Sequence, residues 1–296
     1  MMPERPKHRL SMAELAGEMS AIQQRLAQHS VERPSAGTGL AAHLGRFIGR
    51  IGSRLTRPPR IIILGEFNSG KSTLANALIG PEVLPTSIHA NTRVPLLIHF
   101  SDTPSLAYEA PDRIRRPLSL SAIEDLRRGT ARMLHVGLPV ECLKTFELID
   151  TPGLASGSSG VDDLVLEASR RSHIAVWCTV ATQAWKATEQ GAWSALPQRL
   201  RQRSVLAVTH CDAIHSERDR QRLLSRLGAE ASGRFGSVAC ASATSASGAH
   251  MLEQQLLAAI DMEQVSRQTA AERLLLRATE RLPPPVPQAR GQLNRT

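Results

Sequence analysis

The residues best suited to do chemistry are Gly65, Glu66, Phe67, Asn68, Ser69, Gly70, Lys71 and Ser72, followed by Thr73. They fit the pattern G-x-x-x-x-G-K-[ST] without a gap. Gly65 and Gly70 permit backbone dihedrals that a Cβ resists, so successive N–H groups can turn inward and ring a β-phosphate. Lys71 would place a compact ammonium on the β- and γ-phosphates, and the Ser72 hydroxyl is a hard oxygen ligand suited to Mg²⁺. The lysine is not a by-product of composition. Positive charge comes almost entirely from arginine, and Lys7, Lys71, Lys144 and Lys186 are the only lysines.

Two further groups extend this site. Asp150-Thr151-Pro152-Gly153 closes the apolar run Phe146 to Ile149. A D-x-x-G at a strand's carboxyl end lets Asp150 hold a Mg²⁺-bound water and lets Gly153 offer its N–H to a γ-phosphate. Thr209-His210-Cys211-Asp212 closes another apolar run, Ser204 to Val208. Between the first two groups, Thr92 lies in a polar, turn-rich connection from Glu82 to Arg93.

The elements around these groups must aim them. Arg60 to Leu64 is a β-branched run that predicts a buried strand, and Thr73 to Ile79 has helical spacing with Gly80 as its stop. Further strands are expected at Val94 to Phe100, with Pro95 suggesting a sheet edge, and at Ser105 to Ala110, His173 to Cys178 and Gly236 to Cys240. Helices are expected at Ser119 to Met133, Val161 to Arg171, Thr188 to Leu200 and Ser216 to Leu227. Such alternation predicts an α/β fold with a mainly parallel sheet and helices on both faces, its ligand off the carboxyl ends of the strands.

Flanking this region are helical patterns. Ser11 to His29 carries a capping box, Ser11 with Glu14. Leu40 to Leu55 places Leu44, Phe47, Ile48, Ile51 and Leu55 on one side and Arg46, Arg50, Arg54 and Arg57 on another. This basic amphipathic helix can pack on a neighbouring domain or lie on an anionic surface. His250 to Arg281 reads as one long helix before Pro283-Pro284-Pro285. The expected organisation is therefore 1–59 N-terminal helices, 60–246 nucleotide domain, 247–282 C-terminal helix and 283–296 a disordered tail.

Composition sets bounds. With 296 residues, 42% apolar but 3% aromatic, the core must be built from Leu, Ile, Val and Ala. A net charge of +9 favours an anionic partner. Cys142, Cys178, Cys211 and Cys240 show no C-x-x-C, so buried free thiols in a reducing compartment are expected. No apolar run approaches the roughly 18 residues that span a bilayer, and the first ten residues lack a signal core. A cytoplasmic location is expected, with peripheral contact at an inner membrane surface open through the basic helix.

In order, GEFNSGKSTLANALIG (65–80), EVLPTS (82–87), NTRVP (91–95) and LIDTPGL (148–154) resemble the GTP-binding domain of the dynamin superfamily, especially its bacterial members. The resemblance runs from about Ile61 to Thr244. It implies a P-loop GTPase-type three-layer sandwich, with the flanking helices forming a small bundle. It also implies Mg²⁺-dependent hydrolysis of GTP to GDP and phosphate, with Lys71 and Thr92 catalytic and Ser72, Thr92 and Asp150 as metal ligands. Thr209, His210 and Asp212 then occupy the base-recognition motif [TN]-K-x-D, with His210 in the lysine position, and Ser242-Ala243 the fifth motif. Asp212 can accept from guanine N1 and N2, a pair that adenine lacks.

Departures shape the expectation. Phe67 stands where eukaryotic dynamins carry a glutamine, and Leu154 follows the D-x-x-G where small GTPases carry theirs. Water must then be oriented by backbone carbonyls or by a homodimer or partner GTPase across the nucleotide face, giving slow turnover that association raises. The long helical stalk of membrane-remodelling dynamins is expected to be largely missing. Three alternatives stand beside this reading: a nucleotide-dependent interaction or membrane-docking module with negligible hydrolysis, an ATP-specific P-loop protein, and RNA binding, which rests on charge alone.

Overall fold

A computed structural model describes residues 10–32, 38–80, 94–119, 131–154, 159–241 and 246–281. In chain order the elements are α1 Met12–Glu32, α2 Thr38–Leu55, β1 Arg60–Gly65, α3 Lys71–Ile79, β2 Leu96–Phe100, β3 Ser105–Glu109, β4 Arg115–Pro117 and β5 Met133–Leu138. There follow β6 Glu147–Asp150, α4 Ser159–Arg170, β7 Ile174–Val180, α5 Ala187–Ser194, α6 Gln198–Arg201, β8 Ser204–Thr209, α7 Glu217–Ala231, β9 Ser237–Ala241 and α8 Ala246–Arg281. The chain divides into two compact units, Pro58–Gln264 and Met1–Arg57 with Val265–Thr296.

The larger unit is built on one nine-stranded sheet, in the order β4-β3-β5-β2-β6-β1-β7-β8-β9. β1 lies between β6 and β7, parallel to both, and β8 and β9 continue parallel beyond β7. β2 runs antiparallel to β6 and parallel to β5, and β3 and β4 finish that side antiparallel. Both faces of the central strands are covered, which is why β1, β7 and β8 read as near-continuous apolar runs rather than alternating ones. On one face Ile61, Ile63, Val176 and Val205 pack with Leu74 and Ile79 of α3 and Leu252 and Leu256 of α8. On the other, Ile62, Leu64, Trp177 and Leu206 pack with Val165 of α4, Trp193 of α5, Leu200 of α6 and Leu227 of α7. This is the three-layer α/β sandwich that the alternation predicts.

Three sequence expectations are corrected. β2 is an interior strand, not an edge, because Pro95 falls before the ladder and needs no N–H, while its carbonyl accepts from Leu134. Residues 188–200 do not form one helix: α5 stops at Ser194, and Pro197 caps the separate short α6. The insert expected over Ser119 to Met133 lies mostly outside the described residues, and Met133 itself begins β5. That strand escapes sequence reading because His135 and Gly137 interrupt its apolar pattern.

In the smaller unit, the Ser11 cap forms as expected. Ser11 N–H donates to Glu14 Oε2 at 2.7 Å, and Glu14 N–H donates to Ser11 Oγ at 3.2 Å. Leu15, Met19, Ile22 and Leu26 of α1 are buried with Ile48 and Leu55 of α2 and Ala271 and Leu275 of α8. Gly49 and Gly52 bring α2 close to α1, since a Cβ on Gly49 would meet the Gln23 side chain at 2.1 Å. The buried stripe of α2 therefore runs through Gly45, Ile48, Gly52 and Leu55. Leu44 and Phe47, expected on the packed side, are instead 42% and 44% exposed.

Candidate nucleotide site

The phosphate loop follows directly from β1. Gly65 (φ 147°), Asn68 (φ 58°) and Gly70 (φ 80°) hold its turns, two of them glycines as the pattern requires. A Cβ on Gly65 would lie 2.4 Å from the Cys178 carbonyl and 2.6 Å from Ser69 Oγ, so this residue lets the loop close against β7. Lys71, 7% exposed, opens α3 and donates to the Glu66 carbonyl at 2.6 Å. Burial lowers its pKa, and the nearby carboxylates of Asp150 and Glu66 oppose that shift. Cys178 lies under the same loop, and burial pushes its thiol up to about 12, which makes it packing rather than a nucleophile.

The D-x-x-G segment lies against this loop. Leu154 N–H donates to the Gly65 carbonyl at 3.1 Å, and Glu66 and Leu154 form a parallel bridge. A Cβ on Gly153 would lie 2.7 Å from both Phe67 Cα and Phe67 N, so only glycine allows this approach. Thr151 Oγ1 ties the segment to the Ile63 carbonyl of β1 at 2.6 Å. Asp150, at the end of β6, accepts from Ser72 Oγ at 2.9 Å. A hydroxyl and a carboxylate at hydrogen-bond distance, beside a buried ammonium, are hard oxygen donors that fit Mg²⁺. Among the described residues no group of three or more His, Cys, Asp or Glu could hold a metal ion. A Mg²⁺ ion here would take the rest of its shell from phosphate and water.

The third motif meets the loop from the side of β8. Thr209 Oγ1 is 2.9 Å from the Ser69 carbonyl and 3.2 Å from that of Thr179, bracing the loop's far end to the sheet. His210 (φ 54°) brings its ring to 3.6 Å from where a Gly70 Cβ would be, over the loop. Asp212 follows in the 3₁₀ turn Cys211–Ala213 and is exposed. The expectation of four free thiols is corrected here. Cys211 and Cys240 form a disulfide, Cα atoms 6.5 Å apart, while Cys142 and Cys178 are free. The register Val208↔Cys240 and Thr209↔Ala241 between parallel β8 and β9 brings these thiols together, a proximity that 29 residues of separation conceal in sequence.

The structure thus gathers Gly65 to Thr73, Asp150, Gly153, Thr209 and His210 around one loop at the carboxyl ends of β1, β6 and β8. Thr92, Ser242 and Ala243 lie outside the described residues. Sequence reading missed a brace on the loop's near end. Glu66 accepts from Thr188 Oγ1 at 2.5 Å and pairs with Lys186 Nζ at 2.7 Å. Burial alone would raise the Glu66 pKa, but hydrogen bonds from Lys186 and Thr188 bring it below the ordinary carboxylate value. Behind this pair, buried Glu189 accepts from Lys186 N–H, Thr179 Oγ1 and Trp177 Nε1. No local motif announces these partners, which stand more than 100 residues from the loop. The one available hint was the scarcity of lysine.

The chain is similar to known proteins. The dynamin family model matches residues 61–211, just over half of the chain. Dynamin-like protein 2 of Campylobacter jejuni is 30% identical over 169 residues, 55% of this chain and 27% of that protein. The isoniazid-induced protein IniC of Mycobacterium tuberculosis is 34% identical over 132 residues, 42% of this chain and 25% of that protein. The matched region thus spans about a quarter of these relatives. Among solved structures, a chain of an oligomerised bacterial dynamin pair, described as a mechanism for the long-range sensing and tethering of membranes, shares the fold with a TM-score of 0.58. It is 15% identical, covering 90% of this chain and 55% of that one. Phosphate loop, D-x-x-G and sheet order come together with a family model that matches over the same residues, and the chain belongs to the dynamin family.

Proposed function

We propose that the segment 60–246 is a Mg²⁺-dependent GTPase that binds GTP and hydrolyses it to GDP and phosphate. The observation that carries this reading is the Ser72–Asp150 hydrogen bond at 2.9 Å beside the buried Lys71. A hydroxyl, a carboxylate and an ammonium grouped in this way suit a triphosphate and its metal, which supports the reading. Mg²⁺, when bound, supplies charge neutralisation of the β- and γ-phosphates. Lys71 binds those phosphates, and Ser72 and Asp150 orient the metal and its water. Gly153 senses the γ-phosphate through its N–H, and Thr92 joins it as the switch threonine. Asp212 reads guanine, His210 covers the base in place of lysine, and Ser242 and Ala243 serve as the fifth nucleotide motif. Phe67 and Leu154 offer no acid or base, so turnover is slow until a second copy or a partner GTPase completes the site. Phosphate release from GTP, with Lys71→Ala as control and ATP as competitor, tests this. Equal displacement by ATP overturns the guanine assignment, and turnover unaffected by Lys71→Ala overturns the site.

The α2 surface favours a second role. Leu44 and Phe47 are exposed beside Arg46, Arg50, Arg54 and Arg57, and 38–57 contains no acidic residue. Arginines flanking exposed apolar side chains suit an anionic lipid surface. Among the described residues no helix is long and apolar enough to cross a membrane, so this contact is peripheral. Sedimentation with phosphatidylserine vesicles tests it, and binding that survives Phe47→Asp together with Arg46→Glu and Arg50→Glu overturns it.

A further inference from the structure

A loop that cradles phosphates gains nothing from a carboxylate, yet the residue after Gly65 is Glu66. Its own carbonyl accepts from Lys71 Nζ, and the Glu66 and Lys71 side chains are close enough to feel each other's charge. Left alone, Glu66 would repel a triphosphate and compete for Lys71. The structure gives it other partners. Lys186 Nζ lies 2.7 Å from its Oε2, and Thr188 Oγ1 donates to its Oε1 at 2.5 Å. Both come from the start of α5. That segment is anchored by Glu189, 2% exposed, which accepts from Lys186 N–H, Thr179 Oγ1 and Trp177 Nε1. Thr179 also joins the brace at the loop's other end, since its carbonyl accepts from Thr209 Oγ1. The two braces share β7 as their support.

We propose that Lys186 and Thr188 are positioning residues of the nucleotide site, which neutralise Glu66 and hold it away from the bound phosphates. The inference rests on the triphosphate reading above. It makes Lys186 a determinant of affinity without contact to the nucleotide. It also makes discrimination between tri- and diphosphate depend on this pair, because the γ-phosphate adds the charge that an unpaired Glu66 opposes.

The test is a double-mutant cycle on the full chain, read by the affinity for fluorescent N-methylanthraniloyl-GTP and -GDP in magnesium buffer. Lys186→Met should weaken triphosphate binding about tenfold, the effect of one uncompensated charge in a partly solvated site, and diphosphate binding less. Glu66→Gln should bind the triphosphate at least as well as the wild type. The double variant should recover to within about threefold of the wild type, a rescue that loss of simple packing would not give. Lys186 is an exposed side chain, and thermal unfolding of each nucleotide-free variant should match the wild type. Wild-type affinity in Lys186→Met, a weaker Glu66→Gln, or a double variant as weak as Lys186→Met overturns the inference alone. A wild type that binds no triphosphate overturns it together with the site reading.

Discussion

Replacing His135 by leucine should remove a defined part of the acid sensitivity of this fold. His135 lies on β5 between β2 and β3, opposite Leu97 and Ala107. Neither ring nitrogen has a hydrogen-bond partner among the described residues. Burial first, then Arg115, His99 and Arg60, lower its pKa from 6.5 to about 4, and Glu109 opposes the shift. On acidification the unfolded chain therefore takes up the proton first. This contribution to stability is complete above about pH 6.5 and is lost as pH falls towards 4. Each pH unit in that window is worth about 1.4 kcal/mol, so a fall to about pH 4.5 removes at most ~2.7 kcal/mol. The ring is half-buried, and solvent screening brings the expected loss down to roughly 1–2 kcal/mol. Urea unfolding of wild type and His135→Leu at pH 6.5 and 4.5 reads it directly. Groups that do not feel His135, such as Glu66 paired with Lys186, titrate alike in both proteins and cancel in the difference. Two curves that stay parallel between those pH values would refute a neutral, unpaired His135 in the folded state.

Other expectations follow from single contacts. Thr209→Val removes the hydroxyl between the Ser69 and Thr179 carbonyls and should cost about 1–3 kcal/mol in chemical denaturation, with weaker nucleotide binding. Unchanged values in both assays would show that the brace carries no weight. Gly153→Ala forces a Cβ onto the Phe67 backbone and should separate the D-x-x-G segment from the phosphate loop, lowering turnover more than GDP affinity. Equal losses of both would contradict that assignment. Ser72→Ala should bind GTP with no dependence on magnesium, against a wild type whose affinity falls at least about tenfold when magnesium is chelated. A variant still sensitive to chelation would place the metal elsewhere. Breaking the Cys211–Cys240 bridge, which closes a 29-residue separation, should cost about 3–4 kcal/mol of stability. Alkylation before and after reduction, followed by mass spectrometry, should find two cysteines protected only in the unreduced protein.

What the sequence by itself determined is whatever short-range backbone chemistry specifies. The strand, glycine turn and helix around Lys71 and the Ser11–Glu14 capping box each depend on residues a few positions apart, so types and spacing suffice. Burial on both faces made the central parallel strands legible as apolar runs. Only tertiary structure decided what depends on which distant residues become neighbours. Pro95 could be an edge signal until its strand was seen inside the sheet with the proline just outside the ladder. Leu44 and Phe47 looked like core until the glycines of α2 set which face meets α1. The pairing of Cys211 with Cys240, and the hold of Lys186 and Thr188 on Glu66, exist because parallel strands bring distant loops to one end of the sheet. Strand register is set by the whole hydrophobic pattern rather than by any local one, and these contacts could be read only once it was fixed.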